Sequence, residues 1–161
     1  MKKFLSLSLI VLLCMGMLTG CGGGGTANNG DNATAIKVGG TGPLTGGAAI
    51  YGIAVKQAAE MAVEEVNAKG GLQFELKYED DANDAEKAVN AFNNLIDWGM
   101  QISLGSVTST PGTATSDLSQ ENKIFTITPS GSSTKVIEGK DNVFQMCFTD
   151  PNQGCLLITS L

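Results

Sequence analysis

The chain has 161 residues, with 16 acidic side chains against 10 lysines and neither arginine nor histidine, giving a formal charge of −6 at neutral pH. Such a balance argues against nucleic-acid or phosphate-rich partners, which need cationic contacts. Without histidine the commonest general base and metal ligand is missing, and no catalytic residue, metal site or cofactor is expected.

Residues 1–20 read as a targeting segment rather than as fold. Lys2 and Lys3 are basic, Phe4 to Met17 is an apolar run too short to span a bilayer comfortably, and small residues follow. The tetrad Leu18-Thr19-Gly20-Cys21 resembles the bacterial lipobox, which implies cleavage before Cys21 and a diacylglyceryl group on its thiol. The competing reading is an ordinary signal peptide with an unrelated Cys21. Loss of the two leading lysines leaves 8 lysines against 16 acids, a charge of −8. Residues 21–35, rich in glycine, asparagine and alanine, read as a flexible tether. The folded part, residues 36–161, is long enough for one modest core. Two cysteines fall within it, Cys147 and Cys155. An exported protein can pair them, but two separate buried thiols fit the usual burial of cysteine better.

Ile36-Lys37-Val38 opens the fold as a strand, and Gly39 to Gly47 reads as a long flexible turn. Tyr51 to Asn67 has helical spacing, with Tyr51, Val55, Ala58, Ala59, Ala62, Val63 and Val66 on its apolar face and Lys56, Glu60, Glu64 and Glu65 wet. Gly70-Gly71 stops it. Leu72, Phe74, Leu76 and Tyr78 alternate as a strand that runs into Glu79-Asp80-Asp81. Asn83 and Glu86 have capping-box spacing for a second helix, whose apolar face is Ala85, Ala88, Val89, Phe92, Leu95 and Ile96 and which ends at Gly99. Met100 to Leu104 is the third strand. Ser106, Thr108, Ser109 and Thr110 follow it, then a third helix from Pro111 to Asn122. Ile124 to Ile127 is the fourth strand, Pro129 to Thr134 a second hydroxyl cluster, Val143 to Phe148 the fifth strand, and Asp150-Pro151 starts a last helix.

Strand and helix therefore alternate throughout, which predicts an α/β fold: a parallel sheet with helices on both faces, built from right-handed crossovers. Ligands of such sheets bind at the carboxyl ends of the strands. Those ends are here glycine-rich or hydroxyl-bearing, and free N–H groups at a helix start beside hydroxyls make a small anion site. A weaker reading has Ser109 or Thr110 merely capping the third helix.

Ile36 to Gly46, Tyr51-Gly52, Val66-Asn67-Ala68-Lys69-Gly70-Gly71 and Tyr78-Glu79-Asp80-Asp81 together resemble the amino-terminal lobe of the leucine/isoleucine/valine-binding proteins of ABC importers. The resemblance runs from Ile36 to Leu161. It implies a type 1 periplasmic-binding-protein lobe, incomplete at its carboxyl end, in a monomeric lipid-anchored protein outside the cytoplasmic membrane. Such a protein closes on an amino acid or similar small zwitterion and presents it to a membrane permease. Carried over, Val107, Thr108 and Ser109 form the first ligand loop, with Ser109 donating to the ligand carboxylate. Ser130 and Ser132 form the second, facing the ammonium, and Tyr51 packs on the ligand side chain. Some relatives link the loops after the second and third strands by a cysteine pair; those places are Asn83 and Thr108 here, so that covalent link is absent. The second lobe is also absent from the sequence, which reads as a fragment or truncated product.

Two other classes compete with this reading. A dinucleotide-binding enzyme would use Thr41-Gly42 and Gly46, but no G-x-G-x-x-G stands there. A sensory ectodomain would use the same lobe to detect an amino acid or amide. Glu79, Asp80, Asp81 and Asp84 suggest a cation site less well than a solvated loop, and Trp98 reads as a packing residue.

Overall fold

The computed structural model describes residues 35–159, so the expected targeting segment, Cys21 and all but the last residue of the expected tether lie outside the described residues. Five parallel strands form one sheet in the order β2-β1-β3-β4-β5: β1 Ile36–Gly42, β2 Phe74–Asp80, β3 Ile102–Ser106, β4 Phe125–Thr128 and β5 Val143–Gln145. The connections are α1 Ala49–Ala68, α2 Ala85–Trp98, α3 Ser109–Glu121 and a single 3-10 turn at Thr134–Val136; α4 Asp150–Thr159 follows β5. The predicted α/β class and the parallel sheet are present, with helices on both faces.

Strand order dictates the layering. The chain steps from β1 outward to β2 through α1, then reverses and crosses through α2 and α3 in the opposite direction. Right-handed crossovers therefore set α1 on one face and α2 with α3 on the other. The main core lies on the two-helix side, where Phe92, Leu95, Met100 and Ile124 are buried with Ile96, Trp98 and Leu118 packed against them. Trp98 is a packing residue, as expected, and the Lys37 ammonium sits 5.0 Å from its ring centroid. The contact between α3 and the sheet is made of small hydroxyl residues instead: Ser103, Ser106, Thr115, Ser116, Ser119, Thr126 and Thr128 are all buried. These satisfy one another, with Thr126 Oγ1 donating to Ser119 Oγ at 3.0 Å and Ser106 and Thr115 hydroxyls 3.3 Å apart.

Several sequence expectations shift. The glycine stretch after Val38 is strand rather than flexible turn as far as Gly42, because its bare backbone lets Met100, Tyr78 and Val107 close directly over it. The predicted apolar face of α1 is not buried: Gly52 is its one buried residue, while Tyr51 is 63% and Val66 42% exposed. The helix packs on β1 and β2, and its Val55, Ala59 and Val63 border an apolar groove that reaches Leu104 and Ile127. Gly52 itself is held against the β1–α1 turn, where an added Cβ would lie 2.0 Å from the Pro43 carbonyl oxygen. Asn83 does not cap α2; the cap is Asp84, whose carboxylate accepts from the Lys87 N–H at 2.9 Å, while Asn83 adopts φ +60. Strand β5 is three residues rather than six, because it has a single neighbour and the chain turns away after the Met146 N–H reaches the Thr128 carbonyl at 3.1 Å. Cys147 is half-buried and unbridged, and Cys155 is exposed, so the expected burial of both thiols does not hold.

Candidate ligand site

The carboxyl ends of all five strands lie along one edge of the sheet. The chain leaves β1 for one face and β3 for the other, so a crevice opens between those two strands, the usual ligand position in such sheets. Beneath it, Thr41 and Ser106 are fully buried with their hydroxyl oxygens 2.6 Å apart. Strict alternation from Ser103 would turn Ser106 to the opposite face. Gly105 prevents this by adopting φ +63 and inserting a bulge, so that β1 pairs Gly39 with Ser103 but Thr41 with Ser106.

Above this floor the two hydroxyl loops meet. Ser109 opens α3, and its Oγ accepts the Ser133 N–H at 3.2 Å. The Ser130 hydroxyl donates to the Val107 carbonyl at 2.6 Å. Gln145 Nε2 secures the second loop by donating to the carbonyls of Gly131 and Ser133 at 2.5 and 2.8 Å, and the Ser132 carbonyl accepts the Asp150 N–H at 3.0 Å. Ser109 and Ser133 line an open cavity of about 510 Å³ with Ala85, Thr110, Thr113 and Lys135. A hollow of about 620 Å³ on the outer side of α1 is lined by Ala58, Met61, Glu64 and Glu65, away from these loops, and no hydroxyls converge there.

The fixed partners decide the polarity of each hydroxyl. A serine oxygen that accepts an N–H keeps its own proton to give away, so Ser109 presents a donor, backed by the unsatisfied N–H groups of Ser109 and Thr110 at the start of α3. Ser130 has given its proton to a carbonyl and can only accept. The site thus holds a donor suited to an anion on one loop and an acceptor suited to a cation on the other.

The five predicted loop residues do not share one task. Val107 is buried and Ser109 and Ser132 are half-buried. Thr108 occupies the N-cap position of α3 without a side-chain capping bond; its side chain turns to Asn83, with the hydroxyl donating to Asn83 Oδ1 at 2.7 Å. Neither Ser109 nor Thr110 caps the helix. Tyr51 lies on the first turn of α1, at the same sheet edge, with 63% of its surface exposed.

A family model described as periplasmic binding protein matches residues 35–160. The chain belongs to that family. Among its curated relatives is a Leu/Ile/Val-binding protein homolog of Brucella melitensis, 36% identical over 123 residues, which cover 74% of this chain and 33% of the relative. The branched-chain amino acid transporter substrate-binding protein of Streptococcus pneumoniae, solved in complex with isoleucine, aligns at a TM-score of 0.69 and 28% identity over 72% of this chain and 34% of that one. A solute-binding protein of R. palustris, solved in complex with benzoate, aligns at 0.69 and 26% identity over 79% and 38%. The sheet is the lobe fold of type 1 periplasmic binding proteins, and the chain spans about a third of the length of the Brucella melitensis relative.

In this periplasmic binding protein lobe the two positions where a cysteine pair was expected to be missing are joined by the Asn83–Thr108 hydrogen bond. The acidic cluster, expected to be a solvated loop, is built into the turn before α2. Asp80 accepts from the Leu44 and Ala82 N–H groups and the Thr45 hydroxyl, and Asp81 is fully buried. Burial raises the Asp80 pKa, but the hydrogen bonds from Thr45, Leu44 and Ala82 outweigh it and hold the carboxyl below its ordinary value. Burial pushes Asp81 up, the Asn83 N–H opposes this, and the nearby Asp80 charge adds to it. Tyr78, which donates to the Thr41 carbonyl at 3.1 Å, is raised by burial and by the Asp81 charge. Sequence reasoning missed Thr41, Gln145 and the structural role of Asp81. The polar alternation of β1 and β5 could have flagged the first two, whereas nothing local marks Asp81 for burial.

Proposed function

We propose that this chain supplies the first lobe of an extracytoplasmic solute-binding lipoprotein, anchored through Cys21, that takes branched-chain or other neutral amino acids for an ABC importer; it is a binding protein and not an enzyme. One observation carries the reading: Ser109 is left as a donor and Ser130 as an acceptor on loops that touch, the pairing that a carboxylate and an ammonium on one carbon require. Ser109 would meet the carboxylate together with the first N–H groups of α3, and Ser130 and Ser132 the ammonium. Thr108 and Val107 shape the loop, and Tyr51 borders the side chain. Neutral dipoles match the charges, so binding is selective without the long residence a buried ion pair gives.

Small aromatic carboxylates form the second reading, supported by the benzoate-bound relative. They would use the Ser109 half of the site and leave the Ser130 acceptor idle.

Calorimetry with isoleucine and with benzoate on the intact protein separates the two. Ser109→Ala should weaken isoleucine binding by about 1 to 3 kcal/mol, the range for a lost hydrogen bond to a charged group, and unchanged affinity counts against the assignment. For the anchor, incorporation of labelled palmitate that persists in a Cys21→Ser variant would rule out Cys21 as its attachment point.

A further inference from the structure

The turn between β2 and α2 is held in a strained conformation by its own hydrogen bonds. Ala82 and Asn83 take φ +47 and +60 in succession, a conformation that side chains with a Cβ rarely adopt and that persists where the surroundings enforce it. Here the enforcement is visible. Asp80 Oδ1 accepts the Ala82 N–H at 2.8 Å, the buried Asp81 Oδ1 accepts the Asn83 N–H at 2.8 Å, and the Asp81 carbonyl accepts the Asp84 N–H at 2.8 Å. The consequence is the placement of one side chain: Asn83 Oδ1 accepts the Thr108 hydroxyl at 2.7 Å across 25 residues.

Thr108 would ordinarily fold its hydroxyl back onto the N–H groups of its own helix, as N-cap threonines do. Drawn away to Asn83, it leaves the start of α3 open. We infer that Asn83 is a positioning residue for the ligand loop: by accepting the Thr108 hydroxyl it fixes Val107 to Ser109 and keeps the first N–H groups of α3 available to an anion. This rests on the reading of Ser109 as a ligand contact.

Asn83→Gly and Thr108→Val test it in the intact protein. Glycine accepts φ +60 without strain, so Asn83→Gly should unfold at or above the parent temperature while binding isoleucine about five- to tenfold more weakly, the worth of one hydrogen bond. Thr108→Val should do the same, the double variant should be no worse than either single one, and Asn83→Asp, which keeps an acceptor, should retain affinity. In parallel, 15N relaxation should show the Val107 to Thr110 backbone loosened in both variants and the α3 amides beyond Gly112 unchanged. Unaltered loop relaxation, or affinity that falls only in step with stability, overturns the inference. If Ser109→Ala weakens binding while Asn83→Gly does not, the positioning role alone is lost; if neither weakens it, the ligand site is lost with it.

Discussion

At the scale of single residues, the chemistry that the candidate site offers depends on which way protons point. Ser109 and Ser130 are chemically identical in the sequence, yet one is compelled to donate and the other to accept by a backbone N–H and a backbone carbonyl brought from the opposite loop. The adjacent aspartates show the same dependence on context. The folded state raises the Asp81 pKa above its ordinary 3.8, so it binds that proton more tightly than the unfolded chain does. Its favourable contribution is complete below 3.8 and is lost as pH rises through the raised value. Asp81→Asn should therefore gain stability relative to the parent as pH increases from about 3.8 toward neutrality. Asp80 is depressed, so its contribution is present at neutral pH and lost on acidification. Asp80→Asn should cost stability at pH 7, with a difference that closes in acid. Denaturant midpoints measured at several pH values check both signs, and pH-independent differences would refute them.

At the scale of elements, apolar patterning together with turn and first-turn chemistry located all five strands and all four helices, and failed where a neighbour had to be known. The second helix was legible because its apolar residues form a stripe that is buried as expected, with Ala88, Phe92 and Leu95 at 0% exposure. Its cap was misplaced by one residue because Asn83 and Asp84 both suit the position, and the backbone separates them: Asn83 is held at φ +60 while Asp84 is extended. The third helix carries almost no apolar stripe. Its buried face is Pro111, Gly112, Thr115, Ser116 and Ser119, residues small enough to sit on β3 and β4 and polar enough to need the hydroxyl partners those strands supply. The bulge at Gly105 was equally hidden, since a glycine within a strand signals either a bulge or a close contact and the pattern does not say which.

At the scale of the whole molecule, the described lobe leaves one face of its sheet half covered. Ile127 lies in an apolar groove beside Val55, Ala59 and Val63 of α1, and Phe125 and Phe144 stack at 5.3 Å while remaining 44% and 47% exposed. An apolar patch of this kind promotes association. Residues 36–161 on their own should bind an apolar dye and show concentration-dependent sedimentation. Serine at both Phe125 and Phe144 should reduce both effects at a cost below about 1 kcal/mol per site, as for surface positions; a chain that sediments as a monomer at every concentration would contradict this. What the sequence determined by itself was the class of fold, the order of its elements and the sheet edge that carries the hydroxyl loops, because hydrophobic period and turn chemistry are local properties. The tertiary structure alone decided the polarity of each hydroxyl, the burial of Asp81 and the diversion of Thr108 to Asn83, because each depends on a partner more than twenty residues away or on an environment assembled from several strands.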